Sequence, residues 1–319
     1  MTNGLSASLS PGTSITVHAP AKVNLILRIL GRRLDGYHNL WSVMQTVALE
    51  DEVELRVASG SGINLTCETE GLSADPTNLV WKAASAVLDR ARLSIGVEVE
   101  LRKRIPMGAG LGGGSSDAAA TIWALNRLLH LGWSPEKMAE VGQTLGSDVA
   151  FFLYAPSAIV SGRGEIVKPL AIEGRRWVVL VKPSFGVETK WAYQELATTR
   201  KKVRPLSDGH AMMDRRDRLG WSELAPNAEN DFELPIFAKH PLLQRIKRML
   251  LERGARIALL SGSGATVFGL FDDESAARAA GRHVEESPEL KVFVVPTCLG
   301  PLRTSSSFPP QRHSVDNLP

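Results

Sequence analysis

The run Pro106-Met107-Gly108-Ala109-Gly110-Leu111-Gly112-Gly113-Gly114-Ser115-Ser116-Asp117-Ala118-Ala119 sets five glycines and two serines immediately before an alanine-rich segment. Glycine lets a backbone turn its N–H groups toward a ligand with no Cβ in the way, and the first turn of a following helix adds unpaired N–H donors and a positive dipole end. Such a run constrains the chain to a strand, a tight loop and a helix that together hold an anion, most simply a phosphate. No lysine precedes the serine pair as in a Walker A loop, and the glycines do not follow the G-x-G-x-x-G spacing. A flexible loop before an ordinary helix is the plainer alternative.

The chain has 319 residues, room for two domains that each bury a core. A composition of 44% hydrophobic and 22% charged residues with a formal net charge of +3 is that of a globular protein, not of a nucleic-acid arm. The densest basic group, Arg200-Lys201-Lys202 with Arg204, lacks interleaved aromatics and reads as a solvated loop. Cys67 and Cys298 have no metal-ligand spacing and suggest neither a disulfide framework nor zinc. No apolar run approaches the ~20 residues that span a bilayer, and the first twenty residues do not resemble a signal peptide. The expectation is a cytoplasmic protein with no nucleic-acid or membrane partner.

Organisation along the chain suggests an α+β fold in two domains: an N-terminal tail at 1–13, a first domain at 14–170, a second at 171–303, and a C-terminal tail at 304–319. Residues 15–30 read as a strand whose alternation places Lys22, Asn24, Ile26 and Arg28 on one face. A turn at Asp35-Gly36, extended segments at 41–49 and 51–57, a helix at 77–93 and a strand at 97–101 lead to the glycine run. The helix after it, from Ser115, presents Ala119, Ile122, Leu125 and Leu129 inward. Ser134 caps a second helix that starts with Pro135 and ends at Gly146, just before Ser147-Asp148. Further on lie a helix from Thr189, a charged irregular stretch at 200–225, a helix at 241–253, a hairpin around Ser261-Gly262-Ser263-Gly264-Ala265, a helix at 274–286 and a strand at 292–295.

A phosphate loop that serves a transfer reaction needs a residue for the acceptor hydroxyl and a cation near the moving phosphoryl group. Asp148, followed by Val149, Ala150, Phe151 and Phe152, and Lys22, in an otherwise apolar strand, are the candidates. Each has a dull alternative, a helix-cap aspartate and an exposed strand lysine.

Three blocks, Pro20-Ala21-Lys22-Val23-Asn24-Leu25, the glycine run, and Ser261-Gly262-Ser263-Gly264-Ala265-Thr266-Val267-Phe268, resemble in order the three signature motifs of the GHMP small-molecule kinases. Asp35-Gly36-Tyr37-His38-Asn39-Leu40 and Gly146-Ser147-Asp148-Val149-Ala150-Phe151-Phe152 narrow the resemblance to members acting on 4-diphosphocytidyl-2-C-methyl-D-erythritol. The resemblance spans roughly residues 15–300 and implies two α+β domains with the active site in the cleft between them. It implies ATP and Mg²⁺ as cofactors, with Mg²⁺ carried mainly on ATP oxygens, and a monomer or homodimer. It implies that Pro106, Gly108, Gly110, Leu111, Gly112, Gly113, Gly114, Ser115 and Ser116 hold the ATP phosphates, with Lys103 adding charge. Asp148 is then the base and Lys22 its charge partner; Tyr37 and His38 hold the cytosine, Phe185 supplies the opposite stacking face, and Asn24 and Thr189 bind the erythritol end. Gly262, Ser263 and Gly264 form a wall of the phosphate site, and no protein metal ligand stands out. A GHMP kinase for mevalonate, homoserine or a sugar is one alternative, opposed by the aromatics placed for a base. A nucleotide-binding module without turnover is a second, opposed by the presence of Lys22, Asn24 and Asp148. A dinucleotide-dependent oxidoreductase, which lacks the spaced fingerprint, is a third.

Overall fold

The computed structural model describes residues 11–304 except 35, 70, 201 and 286–288. The expected tails fall almost wholly outside these residues, as does Asp35 of the Asp-Gly turn.

Two long strands form the frame of the first half: β1 (Ser14–Arg32) and β2 (His38–Ala58), paired antiparallel. After β3 (Gly62–Cys67), helix α1 (Leu79–Ala91) starts at Asn78, whose side chain accepts the Val80 N–H. Strand β4 (Gly96–Arg102) then feeds the glycine run and α2 (Gly113–Leu128). Helices α3 (Pro135–Gln143) and α4 (Val149–Tyr154) precede β5 (Ser157–Gly162) and β6 (Ile166–Pro169). The order across this sheet is β13-β1-β2-β4-β3, where β13 (Arg303–Thr304) is the returning chain end; β5 pairs with the other half of β2, and β6 with β5.

In the second half, β7 (Ala171–Glu173) and β8 (Trp177–Pro183) precede α5 (Thr189–Thr199). The 200–225 stretch is more ordered than its charge pattern suggests. It contains α6 (Asp208–Asp214), β9 (Arg218–Gly220) and α7 (Trp221–Leu224). Helix α6 is too short to show a 3.6-residue apolar period, and a Ser207–His210 capping box starts it. Helices α8 (Glu233–Lys239) and α9 (Pro241–Glu252), the hairpin β10 (Ile257–Leu260) and β11 (Val267–Phe271), α10 (Glu274–Glu285) and β12 (Leu290–Pro296) follow. The second sheet runs β10-β11-β8-β12, antiparallel throughout.

The strict alternation expected of β1 does not hold. Register shifts fall between Pro20 and Ala21 and between Asn24 and Ile26. Ile15, Val17, Ala19, Leu27 and Ile29 therefore join one core cluster, while Ala21, Val23, Leu25 and Ile26 join the other. Bulges re-aim side chains in this way, and here Lys22, Asn24 and Leu27 come to line one cavity. Arg28, expected on the same face as Lys22, lies elsewhere, buried against Asp231, Glu229 and His210.

Helix α2 packs on β1, α1 and α4, and every residue from Ser116 to Ile122 is buried. The alanines at 118–120 permit that close approach, and Ala119, Ile122, Leu125 and Leu129 are buried as the sequence predicts.

Candidate active site

The glycine run leaves β4 beside the 261–266 turn, and the two backbones touch. Ala109 O accepts the Thr266 N–H, Gly110 O accepts the Ser261 hydroxyl at 2.9 Å, and Leu111 O accepts the Lys22 N–H at 2.9 Å. At Gly110 (φ +74°) a Cβ would stand 2.1 Å from the Ser261 carbonyl oxygen, so no other residue fits. Gly112, the N-cap of α2 at φ +73°, makes no side-chain capping bond, which leaves the first N–H groups of α2 for a ligand.

This loop is a partition between two cavities. On one side is a cleft of about 530 Å³ lined by Lys103, Pro106 to Ser115, Asp117 and the segment before α1. On the other is a smaller cavity of about 180 Å³ lined by Lys22, Asn24, Asp148, Thr189, Tyr193 and the Gly262-Ser263 turn, among others. Gly110 and Gly112 belong to both linings.

Lys22 Nζ stands 3.7 Å from Asp148 Oδ2 and donates to Asn24 Oδ1 at 2.7 Å; Asn24 Nδ2 donates in turn to Ser42. The Lys22 side chain is 4% exposed and that of Asp148 30%. Burial pushes the Lys22 ammonium below its ordinary pKa, and the Asp148 charge only partly restores it. Asp148 is the N-cap of α4 by position, yet its carboxylate makes no capping bond and lines the cavity instead. Opposite, Thr189 Oγ1 and Ser263 Oγ share a hydrogen bond of 3.0 Å. The His38 ring stacks on Tyr193 with centroids 4.8 Å apart. Burial and the nearby Arg32 charge lower the His38 pKa, favouring a neutral ring, while burial and the Asp148 charge push the Tyr193 phenol up to about 12.

Residues 78–156 match the family model for the GHMP kinases N terminal domain, and residues 213–289 that for the GHMP kinases C terminal. A 4-diphosphocytidyl-2-C-methyl-D-erythritol kinase of Geobacter sp. (strain M21) is 42% identical over 84% of this chain and 94% of its own. The chain belongs to the GHMP kinase family. Another GHMP relative of the same name, from Heliobacterium modesticaldum, is 42% identical over 84% of this chain and 90% of its own. Among solved GHMP structures, a 4-(cytidine 5'-diphospho)-2C-methyl-D-erythritol kinase superposes with a TM-score of 0.75 at 33% identity, covering 90% of this chain and all of the other. A homoserine kinase from Cytophaga hutchinsonii, TM-score 0.73 at 22% identity over 95% of this chain and all of its own, shares the fold. The α+β GHMP architecture expected from the sequence, with its N- and C-terminal family domains, is the one observed.

Lys22, Asn24, Asp148, Thr189, Gly262 and Ser263 come together in one cavity, and Pro106 to Ser115 in the other; Gly264 sits behind the turn, its N–H donated to Ser261 O. Four of the expected residues are placed differently from the expectation. Phe185 does not face Tyr37 and His38: its ring stacks on His240 at 4.8 Å, and Lys182 fixes its carbonyl. The aromatic that faces His38 is Tyr193, one helical turn after Thr189 on α5; that four-residue spacing was the available signal. Ser116 is fully buried, absent from the cleft lining, and its hydroxyl has no partner. Lys103 does line the cleft, but its ammonium is met by two carboxylates, Asp51 and Asp117 at 2.5 Å, so it has no charge to spare for a phosphate. Tyr37 is 58% exposed beneath the Arg163 guanidinium and outside the cavity lining.

Proposed function

We infer that this protein transfers the γ-phosphate of ATP to the 2-hydroxyl of 4-diphosphocytidyl-2-C-methyl-D-erythritol, a step of the methylerythritol phosphate pathway to isoprenoid precursors. The observation that carries the reading is the Lys22–Asp148 pair, 3.7 Å apart, on the acceptor side of a glycine partition whose other side is the larger cleft, of about 530 Å³. The names of the relatives supply the substrate class.

In this reading the loop N–H groups and the N-terminus of α2 hold the ATP phosphates. Mg²⁺, carried on the ATP phosphates that the loop holds, would supply neutralisation of their charge. Asp148 orients the acceptor hydroxyl and takes its proton. In a loose phosphoryl-transfer transition state the proton leaves late, and orientation matters as much as basicity. Lys22, poorly solvated and only partly compensated, stabilises charge on the moving phosphoryl group. Asn24, Thr189 and Ser263 bind the polyol, and the His38–Tyr193 pair offers the cytosine a ring face and a neutral imidazole. Both cavities are built within one chain, so a monomer suffices. Free Cys67 and Cys298 support a reducing, cytoplasmic setting, and none of the described helices is long and apolar enough to cross a membrane.

The test is phosphoryl transfer from Mg-ATP to the cytidyl substrate beside mevalonate, homoserine and galactose, with Asp148→Asn as control. Turnover of the cytidyl substrate alone, lost in the variant, is expected. Folded protein that binds ATP and phosphorylates none of the four would overturn the reading.

A further inference from the structure

On the nucleotide side of the partition lies a second buried charge cluster. Lys103 Nζ sits between Asp51 and Asp117, whose side chains are 0% and 3% exposed. Asp51 is hydrogen-bonded at both oxygens. Its Oδ1 accepts the N–H groups of Arg104 and Ile105 at 2.5 and 2.8 Å, which pins the entry to the glycine loop, and its Oδ2 accepts from Lys103. Asp117 is not: Oδ2 accepts from Lys103 at 2.5 Å, while Oδ1 is buried without a partner. Asp117 also lines the cleft and stands within hydrogen-bonding reach of Asp51.

One ammonium cannot neutralise two buried carboxylates. With all three groups ionised, the cluster carries a net negative charge against the loop that receives a polyphosphate, and a buried carboxylate with an unpartnered oxygen is costly. One retained proton removes the excess charge and with it the cost of a buried ionised carboxylate, and the hydrogen-bonding of Asp51 to two amides and an ammonium assigns that proton to Asp117. We propose that Asp117 is a positioning residue held as the neutral acid beside the glycine loop, and that its ionisation sets an alkaline limit to nucleotide binding. The inference rests on the nucleotide reading given above.

The charged groups acting on Asp117 are Lys103 and Asp51. Burial pushes its pKa up to about 8, Lys103 opposes that rise, and Asp51 adds to it. The sign follows: below that value the proton is in place and affinity is flat, and as pH rises through it affinity falls. By reciprocity, nucleotide binding above that pH takes up a proton.

The first measurement is a carbon NMR titration of the aspartate carboxyls in the ligand-free protein, Asp117 being assigned by the signal that Asp117→Asn removes. A midpoint near 8 is expected; an Asp117 carboxyl fully ionised at pH 6 overturns the proposal. The second is the Kd of Mg-ADP by calorimetry in two buffers of different ionisation enthalpy. The wild type should weaken by roughly 5- to 25-fold between about pH 7.5 and 9.5, the upper figure being the ratio of the protonated fractions at the two pH values. It should also take up a proton near the upper end. In Asp117→Asn the two Kd values should agree within about twofold. A variant with the wild-type slope, or wild-type binding without proton uptake, overturns the proposal and leaves the kinase reading intact. Folded protein that binds no nucleotide at any pH overturns both.

Discussion

Two lysines flank the same loop, and both are buried beside aspartate, yet they are opposites in electrostatic standing. Lys22 has one partly exposed carboxylate at 3.7 Å and an amide oxygen, and burial depresses its pKa. At Lys103 burial acts in the same direction, but the charges of Asp117 and Asp51 outweigh it and raise the pKa. Lys22 therefore has positive charge left for an incoming phosphoryl group, while Lys103 has spent its charge on holding the loop. Proximity to the glycine run does not by itself distinguish the two; counting the carboxylates each must satisfy does.

The largest effect should come from the carboxylate that leaves Lys22 under-compensated. Asp148→Asn should lower kcat by roughly 10²–10⁴-fold, and no capping bond is lost with it. A fall of less than tenfold would remove Asp148 from the chemistry. Lys22→Met should lower kcat by roughly 10²–10³-fold and leave Tm within a few degrees, since its partner can reach water. Lys103→Met should reverse that pattern. It strands the buried Asp51 carboxylate and leaves Asp117 without its partner, a loss of about 3–5 kcal/mol and of order 10 °C in Tm. Equal Tm losses in the two lysine variants would collapse the distinction. The smallest effect concerns the acceptor side: Tyr193→Ala should raise KM for the cytidyl substrate by roughly tenfold, the value of one base–aromatic stack, whereas Phe185→Ala should leave KM unchanged. Steady-state kinetics on both variants decides between the two rings.

Much of the site is legible in the sequence because its parts are local. The glycine run, the strand residues Lys22 and Asn24, and Asp148 after a glycine-terminated helix each carry their chemistry within a few neighbouring positions. What is not legible depends on partners far away in the chain. Nothing near Lys103 indicates Asp51, 52 residues earlier, and nothing near Phe185 indicates His240. The bulges in β1 escape a period-2 reading because Ala21 to Leu27 is apolar on both faces apart from Lys22 and Asn24, so polarity gives no sign of the change of face. Helices α6 and α7 stay hidden for the reason that makes them short: caps and side-chain hydrogen bonds such as Trp41 Nε1 to Asp214 define them, not an apolar stripe.

The 2.1 Å gap that a methyl group at Gly110 would have to share with the Ser261 oxygen bears on modularity. The two family models cover separate stretches, 78–156 and 213–289, as if each half were an exchangeable part. At the loop they are not. The nucleotide loop comes from the first stretch but rests its backbone on a turn from the second, with Ala109 and Gly110 carbonyls accepting from Thr266 and Ser261. A chimaera that joins this N-terminal half to a foreign C-terminal half inherits a working loop only if the new turn presents the same oxygen at the same height, so the unit of exchange is the pair.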